Sequence, residues 1–189
     1  VSLLSPSPGE TWLDLCCGTG DLTFRLLSSL GPDGTVIAID SAAETLAIAR
    51  KRSLDESVNS LVWLNGDVLD TGLPSNSFDG AVMAYGLRNV SDPEAALKEL
   101  FRLLKPGTKA GLLDFNKFER NSFRASFQKF YLRTIVVPIA SRVGLRDQYA
   151  YLEDSLAKFL TGPEQERLAL KVGFVEAQHS LLAAGQITG

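Results

Sequence analysis

The sequence holds one histidine, one methionine and two cysteines, and the two cysteines are neighbours, Cys16 and Cys17. Adjacent cysteines are poorly placed for a structural disulfide and lack any metal-ligand spacing. A disulfide framework and a cysteine metal centre are therefore excluded, and a reducing compartment is expected. Long apolar runs are missing too. No stretch approaches the roughly 20 residues that cross a bilayer, so any membrane role must be peripheral. Nor is there an excess of positive charge. The net charge is −3, which argues against a nucleic-acid partner, because neutralising phosphates needs a basic surface. The chain opens on VSLLSPSPGE without an initiator Met or a signal or transit segment, and reads as trimmed.

What is present fits one soluble domain spanning 1–189. Its 45% hydrophobic and 22% charged residues supply both a core and a solvated surface. Thr11 to Cys16 reads as a buried strand, and Asp21 to Leu30 as a helix with Leu22, Leu26, Leu27 and Leu30 on its apolar face. A turn at Gly31–Gly34 leads to a second strand, Thr35 to Ile39, ending at Asp40. Ser41 is placed to cap a helix containing Leu46, Ile48 and Ala49, with Arg50, Lys51 and Arg52 favouring its C-terminal dipole. Leu61–Leu64, Phe78–Ala84 and Thr108–Phe115 are further strands. Asp92 caps a helix with Pro93 in its first turn, and Lys105-Pro106-Gly107 stops it. Thr161 or Gly162 with Pro163 starts a helix that Gly173 ends, and Phe174 to Leu182 reads as a strand carrying the sole histidine, His179. The alternation of strand and helix predicts an α/β fold: a Rossmann-like, mostly parallel central sheet with helices on both faces.

Residues 116–150 break the rhythm. Between Asn116 and Arg146 seven cations stand against the single acid Glu119, a net +6 that leaves −9 for the rest. Phe123, Phe127, Phe130 and Tyr131 follow helical spacing, with Arg124, Lys129 and Arg133 interleaved. The segment reads as a basic aromatic insertion. It fits a helix lying at an anionic membrane surface and a lid over a ligand pocket equally well.

The first strand runs into Cys17-Gly18-Thr19-Gly20, then a helix. In open parallel sheets ligands bind beyond the carboxyl ends of the strands, and glycines there let the backbone pass close to a ligand at a helix N-terminus. Asp40 ends the second strand 22 residues after Gly18, where a carboxylate can accept both ribose hydroxyls. Alone, a GxG pair is often a plain tight turn and such an acid a plain helix cap; together they favour a nucleoside. A dinucleotide loop needs Gly or Ala at the position held by Thr23. Asp14, just before the loop, suits an ammonium-bearing ligand such as the methionine half of S-adenosylmethionine.

With these residues the stretch Asp14-Leu15-Cys16-Cys17-Gly18-Thr19-Gly20 resembles the first motif of class I methyltransferases, although that family usually has Gly where Cys16 stands. The resemblance implies S-adenosylmethionine held by Asp14, Gly18, Thr19, Gly20 and Asp40. Asp67 would meet the adenine amino group, the Val68 amide would meet the ring, and Ala84 would lie at the end of the fourth strand. A solvated turn remains an open reading for Asp67. Ala84-Tyr85-Gly86-Leu87-Arg88-Asn89-Val90 lacks the Asp/Asn-Pro-Pro-aromatic motif of nucleic-acid amino-methyltransferases. It is similar instead to the ubiquinone/menaquinone biosynthesis C-methyltransferases, a likeness that continues through FRLLKPG and YAYLEDSL. LDFNK, TIVVP and FLTGPEQERLAL are closest to the phylloquinone branch of cyanobacteria and plastids. The family's N-terminal Tyr/Asn and His-x-x-Trp elements have no counterpart here, and the final strand is expected to be missing.

The resemblance implies C-methylation of a prenylated naphthoquinol, peripheral to a membrane in a plastid or in cytoplasm. The acceptor must be a reduced quinol, because a quinone ring is electrophilic. A cation beside its oxygen stabilises the charge that forms as the hydroxyl proton leaves. Arg88 is the candidate cation and Asn89 a neutral donor; pairing of Arg88 with a structural carboxylate is the competing reading. Tyr149 and Asp114 complete the candidate catalytic set, with core packing equally open for Tyr149 and Tyr151. His179 reads as structural, and ordered water is a further candidate for the proton. An O- or N-methyltransferase of another small molecule, a nicotinamide oxidoreductase and a non-catalytic S-adenosylmethionine-binding module are the alternatives, and Asp14 and Thr23 count against the nicotinamide enzyme.

Overall fold

A computed structural model describes residues 1–54, 60–117, 155, 159–182 and 187–188. Five parallel strands form the centre: β1 (Thr11–Leu15), β2 (Thr35–Asp40), β3 (Leu61–Asn65), β4 (Phe78–Ala84) and β5 (Leu104–Phe115). Two short antiparallel strands, β6 (Leu181–Leu182) and β7 (Ile187–Thr188), extend the edge beyond β5, giving the order β3-β2-β1-β4-β5-β7-β6 among the described residues. The helices are α1 (Asp21–Leu30), α2 (Ala43–Ser53), α3 (Pro93–Leu103) and α4 (Gly162–Val172).

Strand β1 is the centre of the sheet and is buried on both faces. Trp12 turns toward α1 and packs with Leu26, Leu27, Leu30 and Val82. Leu13 and Leu15 turn the other way and join Met83, Leu97, Leu100 and Leu103 in the larger core. Burying whole Leu and Trp side chains at about 1.5–3 kcal/mol each, by the usual area rule, makes this strand the anchor on which the ligand loops hang. The strand order reverses between β1 and β4, and at that switch point the loops after β1 and β4 flank one crevice.

Two helix starts form as the sequence dictates. Asp92 accepts from the Ala95 N–H at 3.0 Å. Thr161 and Glu164 make a reciprocal capping box. Five expectations need correction. Thr23 faces inward with Leu26, Leu27 and Leu30, whereas Leu22 is half-buried. Ser41 does not cap α2: the Asp40 carboxylate takes the Ala42 N–H at 2.8 Å, and Ile48 is 52% exposed. Lys105-Pro106-Gly107 lies inside β5, where the four residues between Leu104 and Lys109 stand against the single Asp79 of β4, an irregularity eased by Gly107 at φ 82°. Of Phe174–Leu182 only Leu181–Leu182 is a strand, since the preceding segment finds no ladder partner. Finally, an end strand does form: Ile187–Thr188 pairs with Phe115–Asp114. The basic aromatic segment, from residue 118 onward, lies outside the described residues.

Candidate active site

The glycine loop is shaped by three left-handed residues: Cys16 at φ 58°, Gly18 at φ 54° and Gly20 at φ 87°. Its two glycines serve different ends. A Cβ on Gly18 would meet nothing, so that backbone is open to a ligand. A Cβ on Gly20 would sit 2.6 Å from the Trp63 ring, so Gly20 is demanded by packing. The φ of Cys16 explains why glycine is usual there in the resembling motif; a side chain in this region costs roughly 1–2 kcal/mol. Thr19 exposes its carbonyl to Arg52, which donates at 2.6 Å, pairs with Asp21 at 2.9 Å and lies over the Phe24 ring.

Beneath the loop, Asp14 is buried (1% exposed). Its Oδ2 accepts a hydrogen bond from Thr23 Oγ1 at 2.5 Å, while its Oδ1 is buried with no partner among the described residues. Burial pushes its carboxyl up to about 7; the Thr23 hydrogen bond opposes this and the Asp40 charge adds to it. Thr23, read in the sequence only as a missing glycine, is thus the residue that aims Asp14. An ionised carboxylate with one orphaned oxygen is costly alone and suited to a cationic partner.

Asp40 ties β2 to the loop. Its Oδ2 accepts from the Gly18 N–H at 2.7 Å and its Oδ1 from the Ala42 N–H at 2.8 Å. A carboxylate offers about four acceptor positions, so each oxygen keeps capacity for a ligand hydroxyl. Asn65 closes the neighbouring turn by donating to the Asp40 and Ser41 carbonyls at 2.9 and 3.1 Å. Asp67 is exposed, with one oxygen held by the Leu69 N–H at 2.9 Å, and Val68 is buried. Asp40, Asp14, Asp67 and Asp114 all act on the Cys16 thiol, which burial and these charges push up to about 12. The four carboxylates thus share one neighbourhood, and the thiol stays protonated.

Across the switch point stands the second half of the crevice. Beyond Ala84, Tyr85 takes φ 56°, and its N–H donates to the Leu113 carbonyl at 2.7 Å. A 3-10 turn, Leu87–Asn89, follows. Arg88 Nη1 donates to Asp114 Oδ1 at 2.6 Å and to the Tyr85 carbonyl at 2.9 Å; Asn89 Nδ2 reaches that carbonyl at 3.1 Å. The pair is buried, with side chains 11% and 3% exposed, and among the described residues Arg88 Nε has no partner. The guanidinium lies over both the Tyr85 and Phe115 rings, 5.6 and 5.2 Å from their centroids. Burial raises the Asp114 carboxyl from its ordinary value, and the Arg88 charge opposes the rise. Thr188, opposite Asp114 on β7, is buried, and its hydroxyl has no partner among the described residues.

The two halves touch. A Cβ on Gly86 would stand 2.6 Å from the Cys16 Cβ. The structure therefore brings together Asp14, Gly18, Asp40, Ala84, Arg88, Asn89 and Asp114 around one crevice. Tyr149 lies outside the described residues. His179 is elsewhere, its ring nitrogen 2.7 Å from Glu166 and its ring against Gly162. Sequence reasoning missed Tyr85 and Phe115. Their signal was an aromatic residue at the carboxyl end of each of two neighbouring strands.

An open sheet reversing between β1 and β4, with a glycine loop and an acid on successive strand ends, defines the class I methyltransferase fold. Solved structures agree. A SAM-dependent methyltransferase from Aquifex aeolicus superposes with a TM-score of 0.73 at 19% identity, covering 99% of this chain and 83% of that one. A Haemonchus contortus phosphoethanolamine N-methyltransferase, solved with S-adenosylhomocysteine, gives 0.72 at 20% identity over 96% of this chain and 37% of that one. The chain belongs to the ubiE/COQ5 methyltransferase family, whose model matches residues 1–189. Relatives include the 2-phytyl-1,4-naphthoquinone methyltransferases of Nostoc sp. (45% identical, covering 95% of this chain and 79% of the relative) and Synechocystis sp. (47%, 95% and 75%). The chloroplastic enzyme of Arabidopsis thaliana is 39% identical, over 98% of this chain and 72% of its own length.

Proposed function

We propose that the chain methylates a ring carbon of a prenylated naphthoquinol, demethylphylloquinol or demethylmenaquinol, with S-adenosylmethionine as donor. The observation that carries this reading is the meeting, through Cys16 and Gly86, of a carboxylate-lined nucleoside cradle with an aromatic-flanked Arg88–Asp114 pair. The relatives' names supply the acceptor class.

The residues fit the donor. The orphaned Asp14 oxygen suits its ammonium, Asp40 its ribose hydroxyls, the open backbone at Gly18 its amino-acid portion, and Asp67 and Val68 its adenine. Bound there, S-adenosylmethionine supplies an electrophilic methyl group on a sulfonium. The chain's own part is to make the acceptor nucleophilic. Among the described residues Asp114 Oδ2 carries only a 3.3 Å contact from the Arg88 N–H, which leaves it able to take the quinol hydroxyl proton. As Asp114 is neutralised, Arg88 is released to stabilise the new oxyanion, with its Nε–H as a further donor. Charge passes from one partner of Arg88 to another without an isolated ion forming. Rearomatisation then passes the ring proton to solvent water while the oxygen regains one from Asp114, so the cycle sheds one proton. Asn89 holds the Tyr85 carbonyl, and Tyr149 stays a catalytic candidate on its sequence motif alone.

The Asp14 carboxyl gives the donor site a pH signature. Its folded value near 7 exceeds the ordinary 3.8, so ionisation costs the ligand-free protein stability, a cost that grows between about pH 4 and 7. A bound ammonium requires the ionised form. Calorimetric affinity for S-adenosylmethionine is therefore expected to fall as pH drops below about 7, and Asp14→Asn to flatten that dependence. The same pH profile in the variant would remove Asp14 from the site.

In this reading 1–189 is one domain and 116–150 its basic lid, lying against an anionic membrane that dissolves the acceptor. Among the described residues no helix is long and apolar enough to cross a membrane. The whole reading is tested by supplying S-adenosylmethionine and a demethylnaphthoquinol in anionic vesicles and weighing the product. A quinol one methyl heavier is expected, and its absence rejects the acceptor. Reversing Arg124, Lys129 and Arg133 to Glu should abolish co-sedimentation with the vesicles while sparing a short-chain, soluble quinol. Sedimentation that survives the reversal would leave the segment a lid alone.

A further inference from the structure

Neither the motif nor the mechanism assigns a task to the side chain of Tyr85, yet its backbone takes the left-handed conformation. A non-glycine residue at φ 56° is held against a steric penalty. Three hydrogen bonds keep it there: its N–H to the Leu113 carbonyl, and its carbonyl to Arg88 and Asn89. Strain retained against such a penalty at a strand end points to a task for the side chain it re-aims. What it aims is an aromatic ring, 36% exposed, tilted 43° to Phe115 with centroids 5.1 Å apart and the Arg88 guanidinium over it. A glycine would satisfy that backbone without strain, so the ring, not the turn, is what tyrosine adds here.

We infer that Tyr85 is a positioning and specificity residue, whose open face stacks the fused aromatic ring of the acceptor beside the Arg88–Asp114 pair. The ring and the guanidinium divide recognition between them: Tyr85 takes the π-face, and Arg88 takes the oxygen on its rim. An offset-stacked aromatic pair contributes beyond simple area burial. It also fixes the plane of the acceptor, which decides which ring carbon faces the donor methyl. This selects a flat aromatic acceptor over an aliphatic amine or alcohol.

The inference rests on the proposed function, and its test separates the two. Acceptor kinetics with a short-chain prenylated naphthoquinol would be measured for the wild type, Tyr85→Phe and Tyr85→Gly, alongside S-adenosylhomocysteine affinity and thermal unfolding. Tyr85→Phe should keep the acceptor KM. Tyr85→Gly should raise it about tenfold, with S-adenosylhomocysteine affinity unchanged and a melting temperature equal to the wild type's or higher, because the left-handed strain is relieved. A glycine variant with a wild-type acceptor KM overturns the platform. So does one that loses both ligands or its stability together, since that marks a structural ring. A wild type inactive on every naphthoquinol rejects the functional reading, and the platform with it.

Discussion

Asp114→Asn is expected to lower quinol turnover by about 100- to 10,000-fold, the usual range for removing a proton-transferring group. Asparagine keeps the shape of the side chain and can still accept from Arg88 and the Phe115 N–H, which donates to Asp114 Oδ1 at 2.8 Å. It cannot take a proton from the acceptor. The substitution also strands a buried cation, and breaking one side of such a pair costs about 3–5 kcal/mol, so lost stability has to be separated from lost chemistry. The double variant Arg88→Met with Asp114→Leu does this. Replacing a buried pair by apolar residues is often neutral for folding, so its melting temperature should return toward the wild type's while turnover stays lost. Thermal unfolding and product formation on the same samples decide the matter. Turnover surviving in either variant would make the pair a structural device and remove both the base and the oxyanion stabiliser.

The second large effect is expected at Asp40. Asp40→Ala should weaken S-adenosylmethionine binding by at least tenfold, since each hydrogen bond to a charged group contributes roughly 1.5–3 kcal/mol. Two causes act together. The ribose hydroxyls lose their acceptor, and the Gly18 and Ala42 N–H groups lose theirs, which loosens the loop and the start of α2. Asp40→Asn keeps one backbone contact and should fall between the two. Calorimetry on protein of verified fold is the measurement. An unchanged affinity would dissolve the nucleoside cradle as drawn.

The parts of the site that were legible in the sequence are those written locally. Gly18, Gly20 and Asp40 sit at strand ends fixed by short apolar runs, and Asp92 and Thr161 cap helices through residues three positions away. Contacts made across the sheet could not be read. Arg88 and Asp114 lie 26 residues apart and meet only because β4 and β5 pair in register. Of the competing readings of Arg88, the structure shows the pairing with a carboxylate, Asp114, and oxyanion stabilisation stands as the proposed role. Thr23 was misjudged for a similar reason: rotating α1 inward toward Asp14 depends on how the helix packs on Trp12, which no residue of the helix declares. Ile48 stands exposed because α2 buries only Leu46 and Ala49, a narrower stripe than its apolar residues imply. Phe174–Leu182 has the composition of a strand but mostly lacks a ladder partner.

The central place of β1 has a consequence for the history of each molecule. The strand made first has its inner edge completed by one made much later: the Thr11 N–H finds its acceptor on Asp79, 68 residues along the chain. A growing chain that has finished β1, β2 and β3 carries the glycine loop and Asp40 but has one flank of β1 unpaired, an open template for wrong partners. Closing so long a loop is slow by the standards of local pairing. In the proposed reading the donor cradle thus exists in outline before the acceptor crevice can, and the two halves meet only once Phe78–Ala84 has slotted in beside β1.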